Sequence, residues 1–309
     1  MALTTKVAPP ATAARPRRRG RRPGAATDRA GSASRHRRGI TRWIVLTLLV
    51  VTMLVTLFPF FMAAINAIKT VGDYTAHGPL ALPRSFDLTA IKDFWRNVDY
   101  TNKLFNSILI SGSVAVLGTA ISLLNAYALG IGRIKARKAL LVTLLLATTI
   151  PQEALIYPLY YLAKAVDLYD TRLVVIIISS VMSSAFGTYL LASVLSTFPP
   201  EILEAARIDG AGRWQVLRHV VVPVIRPTLA VLMTLFFIWT WNDFFLPLIM
   251  LVSNDNQTAS VALGSLQGQY TSSPTSLAAA SLLGILPAVV FFLIFQRTLT
   301  RGAVAGAVR

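Results

Sequence analysis

Carboxylate and amide side chains inside otherwise apolar stretches are the residues of this sequence best placed to do chemistry. Glu153 follows Gln152 in the run 139–163, where it is the only acid. Asp243 follows Trp241 and Asn242 in 228–252, as the only charge. A carboxylate there is costly unless it is solvated or paired, so it marks a pathway, an ion site or a polar contact between helices. The two prolines of the first run, Pro151 and Pro158, free backbone carbonyls and allow a kink, which is tolerated where a helix faces protein or a water-filled cavity. The composition removes several other chemistries. The chain has no cysteine, so disulfides, zinc thiolates and a thiol nucleophile are excluded, and its 3 histidines and 13 acids leave little for a metal site. No Gly-x-x-x-x-Gly-Lys-Ser/Thr, His-Glu-x-x-His or Gly-x-Ser-x-Gly occurs, so no hydrolysis or cofactor is expected of the chain itself.

These residues sit in a chain too apolar for a soluble domain: 54% hydrophobic, 14% charged, with mean hydropathy +0.60. About 20 apolar residues cross a bilayer. Six runs qualify: 43–68, 104–132, 139–163, 173–198, 228–252 and 277–296. The expected fold is therefore an all-α membrane protein with six transmembrane helices. Its parts are a disordered basic tail over 1–41, a first helix over 42–68, an external loop over 69–103, a core over 104–297 and a tail over 298–309.

With the N-terminus inside, 23 of the 30 basic residues fall on inside segments. That places both termini and the loop 200–226 in the cytoplasm. The arginine-rich tail lacks interleaved aromatics, so it suits anionic lipid rather than nucleic acid. The external loop carries Tyr74, Phe94, Trp95 and Tyr100. Aromatics are expected at a membrane boundary, which favours a packing role over contact with a delivery protein. The second run is rich in small residues, among them Ser107, Gly112, Gly118, Ser122 and Ala126. Such a face lets helices approach closely.

The longest polar interlude of the second half runs from Glu204 to Pro227. Pro200 suits a first helical turn, with Glu201 and Glu204 near the positive end of the dipole. Gly210 can take positive φ, and Asp209 can cap the next helix. That second short helix carries Trp214, Leu217 and Val221 on one stripe, and Pro223 and Pro227 end it. The expectation is a helix, a bend and a second helix, with small residues (Ala205, Ala206, Gly210, Ala211) where another surface can approach.

Glu204-Ala205-Ala206, three residues, Gly210, nine residues and Val220-Val221-Val222-Pro223 together resemble the EAA loop of ABC importer permeases. Val220 and Val222 stand where that family has Ile and Leu. The stretches Ile150–Tyr161, Phe186-Gly187-x-x-Leu190-Leu191, Trp241-Asn242-Asp243-Phe244 and Gly302–Arg309 are similar to sugar permeases of the maltose type. Ala192 stands where those often carry Arg, and Arg309 where they carry Lys.

The resemblance implies the type I importer permease fold, a cell-membrane location and alternating access. It also implies a second permease subunit, two cytoplasmic ATPases and an external sugar-binding protein. Glu204, Ala205, Ala206, Asp209, Gly210, Ala211 and Pro223 become the ATPase-coupling residues. Gln152, Glu153, Trp241, Asn242 and Asp243 become the substrate path, since aromatic faces stack on sugar rings while amides and carboxylates bond hydroxyls. The polar trio equally suits a contact between helices. Two other readings stay open: an ion-coupled transporter using Glu153 and Asp243, and a membrane scaffold that moves nothing.

Overall fold

The structure, a computed structural model, describes the backbone of residues 28–132, 134–269 and 273–307, and side chains over 42–132, 134–264 and 273–296. The chain divides into units 1–58 and 59–309. The first unit is described from Asp28, where helix α1 (Asp28–Ala67) begins. Its apolar side chains between Trp43 and Phe58 are exposed, as on a surface facing lipid. The expected disordered tail lies in part outside the described residues. Over 28–41 the backbone is helical. Ala and Arg are good helix formers, so that segment extends the span.

The second unit contains α2 (Val71–His77), α3 (Thr89–Asn97), α4 (Tyr100–Gly130), α5 (Arg137–Ala147), α6 (Ile156–Ala165) and α7 (Arg172–Ser196). It continues with α8 (Pro200–Ile208), α9 (Arg213–Gln215), α10 (Val222–Asn242), α11 (Phe245–Met250), α12 (Ala259–Gln269) and α13 (Pro274–Ala307). The expected external loop folds into α2 and α3. Phe94 and Tyr100 are buried in one cluster with Ala280 and Leu283, and the Tyr100 hydroxyl donates to the Leu283 carbonyl at 2.9 Å. The backbone of α13 runs on through Ala307; Val308 and Arg309 lie outside the described residues.

Hydrogen bonds at the two ends of the bundle fix its topology. At one end, α4 and the start of α7 clamp the segment after α11. The Lys103 ammonium donates to the Asn254 carbonyl, and Asn106 donates to the Asp255 and Gln257 carbonyls at 2.7 and 2.9 Å. Arg172 donates to Asn106 Oδ1 at 3.0 Å. Asp170 accepts from the backbone N–H groups of Val252 and Ser253, each at 2.9 Å, and from the Ser253 hydroxyl. At the other end, the Tyr127 hydroxyl donates to the Arg213 carbonyl at 2.9 Å. Both α4 and α7 therefore run from the first end to the second, and α10 returns.

Two parallel neighbours require a crossing between them, and 131–171 supplies it. In the run 139–163, where the two prolines allow a kink, the helix is broken outright. The helix α5 has 11 residues, about 16 Å, against about 30 Å of hydrocarbon. After it the chain bends by 91°, passes through a 3-10 turn (Gln152–Leu155) and forms α6. The break precedes Pro151 because that residue has no N–H to donate and Ile150 is pushed out of the helical region. The Thr148 and Thr149 hydroxyls bond back to the Leu145 and Leu146 carbonyls at 2.6 and 2.7 Å, a second donor on each beside the backbone N–H of the same threonine. Pro158 lies in the first turn of α6, where a missing donor costs little. Counting this bent pair as one span gives six.

The expected small face of α4 packs largely on α7. Ser107, Ser111, Gly118, Ser122 and Ala126 are buried, whereas Gly112 opens onto free space. Contact is closest at Gly187 of α7. A Cβ there would clash with Ser122 Oγ and lie 2.8 Å from the Phe236 ring.

This packing makes two testable predictions. Gly187→Ala is expected to cost about 1–3 kcal/mol through overpacking, read as a lower melting temperature of the purified protein in detergent. An unchanged melting temperature would contradict the close approach. The second concerns Asp170. Burial pushes its carboxyl up, but bonds from Ser253 and Val252 win and hold it below its ordinary value. A group with a depressed folded pKa stabilises above its unfolded pKa, about 3.9 for Asp, and loses that stabilisation as pH falls through the folded value. The advantage of wild type over Asp170→Asn at neutral pH should therefore shrink below about pH 4, as followed by thermal unfolding against pH.

Candidate functional site

The loop between α7 and α10 is built by local rules. Pro200 opens α8 at its first position, with Glu201 in the first turn. The helix ends in a six-to-one and five-to-two pair of hydrogen bonds: Ala211 N–H to the Ala206 carbonyl and Gly210 N–H to the Arg207 carbonyl, both at 3.0 Å. This closure needs a left-handed residue after the last cap. Gly210 supplies it with φ +78°, in open space where no side chain would clash. Asp209 is the C-cap of α8 rather than the N-cap of the next helix, which corrects the expectation for that residue. Gly212 takes the N-cap position, its N–H donating to Gln215 Oε1 at 2.7 Å.

The second helix does not end at Pro223, which is a further correction. Arg213–Asn242 is one helix of 30 residues. A π-helical turn (Val216–Val221) precedes Pro223, which falls in the first turn of α10. The wider turn, with Val222 N–H on the Leu217 carbonyl, lets a proline enter without ending the helix.

The underside of the loop is core. Ala206, Val216, Leu217, Val221 and Ile225 are buried with Leu195 and Phe198. Ala206 is thus small for contact within this chain, while Glu204, Ala205, Asp209 and Gly210 are exposed and Ala211 half-buried. Trp214 is 65% exposed, so it does not share the buried stripe of Leu217 and Val221. Ile208, 87% exposed beside the bend, was missed from sequence. A large apolar residue among polar ones at a tight turn was the available signal.

The second cluster lies near the opposite end of α10. A cleft of about 420 Å³ is lined by Gln152, Ser179, Ser183, Trp239, Thr240, Asn242 and Asp243, among others. The Gln152 amide donates to Asp243 Oδ2 at 3.3 Å, and the Leu246 N–H reaches Asp243 Oδ1 at 3.4 Å. Asp243 is the C-cap of α10 and lies past the helix, not within it. Ser179 Oγ is buried with no hydrogen-bond partner, so a hydroxyl donor or acceptor stands unused in the wall.

The structure brings Gln152, Asn242 and Asp243 together at the cleft, leaves Glu153 outside its lining but within electrostatic reach of Asp243, and turns Trp241 away. Glu153 is exposed on the 3-10 turn and does not line the cleft. Trp241 stacks on Phe237 at 5.8 Å, and Phe237 on Phe291 at 3.9 Å, which is a contact toward α13. Residues two apart on a helix point to nearly opposite sides. So Trp239 faces the cleft instead, with Phe186 edge-on at 5.1 Å. Ser179 and Ser183 were missed as well, although their four-residue spacing in an apolar helix puts both on one face.

Residues 128–303 match the family described as binding-protein-dependent transport system inner membrane component. The chain belongs to this family. It is 29% identical over 252 residues to the melibiose/raffinose/stachyose import permease protein MelC of Bacillus subtilis (strain 168), covering 81% of this chain and 91% of that one. It is 30% identical over 275 residues to the trehalose transport system permease protein SugB of Mycobacterium tuberculosis, covering 88% and 98%. Its fold is similar to a chain of a solved bacterial ABC transporter involved in the import of the acidic polysaccharide alginate, with TM-score 0.70, 23% identity and 84% and 96% coverage. The protein is thus a multi-pass ABC permease, and the scaffold and ion-coupled readings of Glu153 and Asp243 are not favoured.

The bend at Gly210 makes a sharp prediction for a transport subunit. A residue with a Cβ in the left-handed region costs about 1–2 kcal/mol, and a β-branched one more. Gly210→Val should lower ATP-driven uptake severalfold at unchanged membrane abundance, while Gly210→Asn retains most of it. Normal uptake with Gly210→Val, measured in cells, would refute a rigid bend.

Proposed function

We propose that this chain is one of two permease subunits of an ATP-driven importer that carries a sugar, mono- or oligosaccharide, across the cell membrane. Membership in a binding-protein-dependent family, together with a loop bent at Gly210 and continuous with a 30-residue helix, carries this reading. The relatives named for melibiose, lactose and trehalose transport support a carbohydrate as cargo. The solved alginate transporter in complex with its pentasaccharide-bound periplasmic protein supports an external delivery partner.

In this reading the loop faces the cytoplasm, as do both termini, in keeping with the basic residues. Its exposed face (Glu204, Ala205, Ile208, Asp209, Gly210) seats in a partner ATPase, with Ala211 and Pro223 shaping the turn. ATP binding closes two such ATPases on each other and moves the two loops with them. Arg213–Asn242 carries that motion over about 45 Å to Asn242 and Asp243. ATP hydrolysis belongs to the partners, and nucleic acid has no part.

At the cleft, Trp239 offers an apolar face to one side of a sugar ring. Gln152, Asn242, Asp243, Ser179 and Ser183 offer hydrogen bonds to its hydroxyls, and a cleft of about 420 Å³ accommodates a ring of that size. Glu153 and Trp241 belong to the surroundings of this path.

Uptake of radiolabelled oligosaccharides by proteoliposomes holding the full assembly tests the proposal. Transport is expected only with internal ATP and the external binding protein; uptake driven by an ion gradient alone would overturn it. Trp239→Ala should lower uptake about tenfold, a loss of about 1.4 kcal/mol, with assembly intact. Trp241→Ala should instead lower thermal stability, and equal loss of uptake from both would contradict the cleft as the path.

A further inference from the structure

A second and larger cavity, about 900 Å³, lies between the end of α4 and the loop. Arg207 and Arg213 line it, each within one helical turn of an apolar lining residue, Leu203 and Val216, and Ile131 and Tyr127 line it from the end of α4. Among the described residues neither guanidinium forms an ion pair with a carboxylate; the ion pair among them is His77 with Asp73. Two positive side chains without a negative partner, beside an apolar wall, describe a site for an anion that carries hydrocarbon.

Position selects the source of that anion. The 31 residues of α4 exceed the roughly 20 needed to cross the hydrocarbon. The last turn of α4 and the start of Arg213–Asn242 therefore lie at headgroup depth. We infer that this cavity binds the phosphate of an anionic phospholipid, with Arg207 and Arg213 on the headgroup and Ile131, Leu203 and Val216 along the glycerol and first acyl carbons. Inorganic phosphate would satisfy the arginines but leave the apolar wall wet. A guanidinium presents a planar fork matched to phosphate oxygens, so the site has geometry as well as charge.

Occupancy has a mechanical consequence. The cavity is walled by α4 on one side and by α8 and α9 on the other, and the Tyr127 hydroxyl bond to the Arg213 carbonyl ties them directly. A lipid headgroup seated there adds a second tie across the same gap. It stiffens the loop against the bundle and makes ATP-driven transport depend on membrane composition. The depth of the cavity is the same in either orientation of the chain.

The test is native mass spectrometry of the detergent-solubilised assembly after incubation with phosphatidylglycerol, phosphatidylcholine or inorganic phosphate. Wild type should retain phosphatidylglycerol, not phosphatidylcholine, and excess inorganic phosphate should not displace it. Removing both positive charges beside the headgroup, by Arg207→Gln with Arg213→Gln, should weaken retention roughly thirtyfold. Arg207→Lys with Arg213→Lys guards against a folding defect and should retain part of the binding. The exposed Arg218→Gln should retain all of it. Equal retention by the double Gln variant, equal retention of phosphatidylcholine, or displacement by inorganic phosphate would each overturn the proposal. So would loss of the ATPase from the double variant with lipid retention unchanged, since that would place a protein acid at the two arginines.

Discussion

The close parallel packing of α4 and α7 is the constraint on which the rest of the second unit depends. Gly187 admits Ser122 and Phe236 against the backbone, so the two helices meet with no room for a side chain between them. In hydrocarbon, where apolar surface gains nothing from mere association, contact at this range is what holds helices together. Parallel neighbours oblige the chain to return across the membrane between them. The return is broken before Pro151, and the turn after the break sets Gln152 against Asp243. The polar pair at the cleft therefore comes from two chain breaks, the one before Gln152 and the end of α10 at Asp243.

A second consequence concerns transmission. Because the π-helical turn lets Pro223 enter without ending the helix, the bend at Gly210 and the cleft at Asp243 are joined by one continuous helix. Its base is bolted by the apolar cluster around Leu217 and Val221 and by the Tyr127 hydroxyl. Beyond its far end, the segment 250–257 is held to the starts of α4 and α7 by Lys103, Asn106 and Asp170, and Arg172 ties those two starts together through Asn106.

Much of this was legible in the sequence, and the failures have physical causes. Charge-free length marks a span whatever its neighbours do, so the six crossings could be read. The bend could be read because Gly210 must take a conformation that other residues resist. The break before Pro151 could not be placed, because Pro151 and Pro158 look alike until one knows which falls in a first turn. Pro223 misled for the same reason, since a widened turn ahead of it leaves no mark in composition. Trp239 and Trp241 are both tryptophans beside an acid, and only the helix phase separates a cleft wall from a contact with α13. The clamp on 250–257 was invisible because its partners lie 82 to 151 positions apart in the chain.

The most direct test of the account exploits the absence of cysteine from the chain. A single cysteine placed by Ile208→Cys sits on the exposed face beside the bend, and one placed by Val116→Cys sits on an exposed face of α4. Both would be treated in native membranes with a thiol-to-amine cross-linker, and the adducts identified by mass spectrometry. The expected result is an adduct between the Ile208 position and a P-loop ATPase, with none from the Val116 position. No ATPase adduct from Ile208→Cys in membranes that still transport would contradict the loop as the point of coupling.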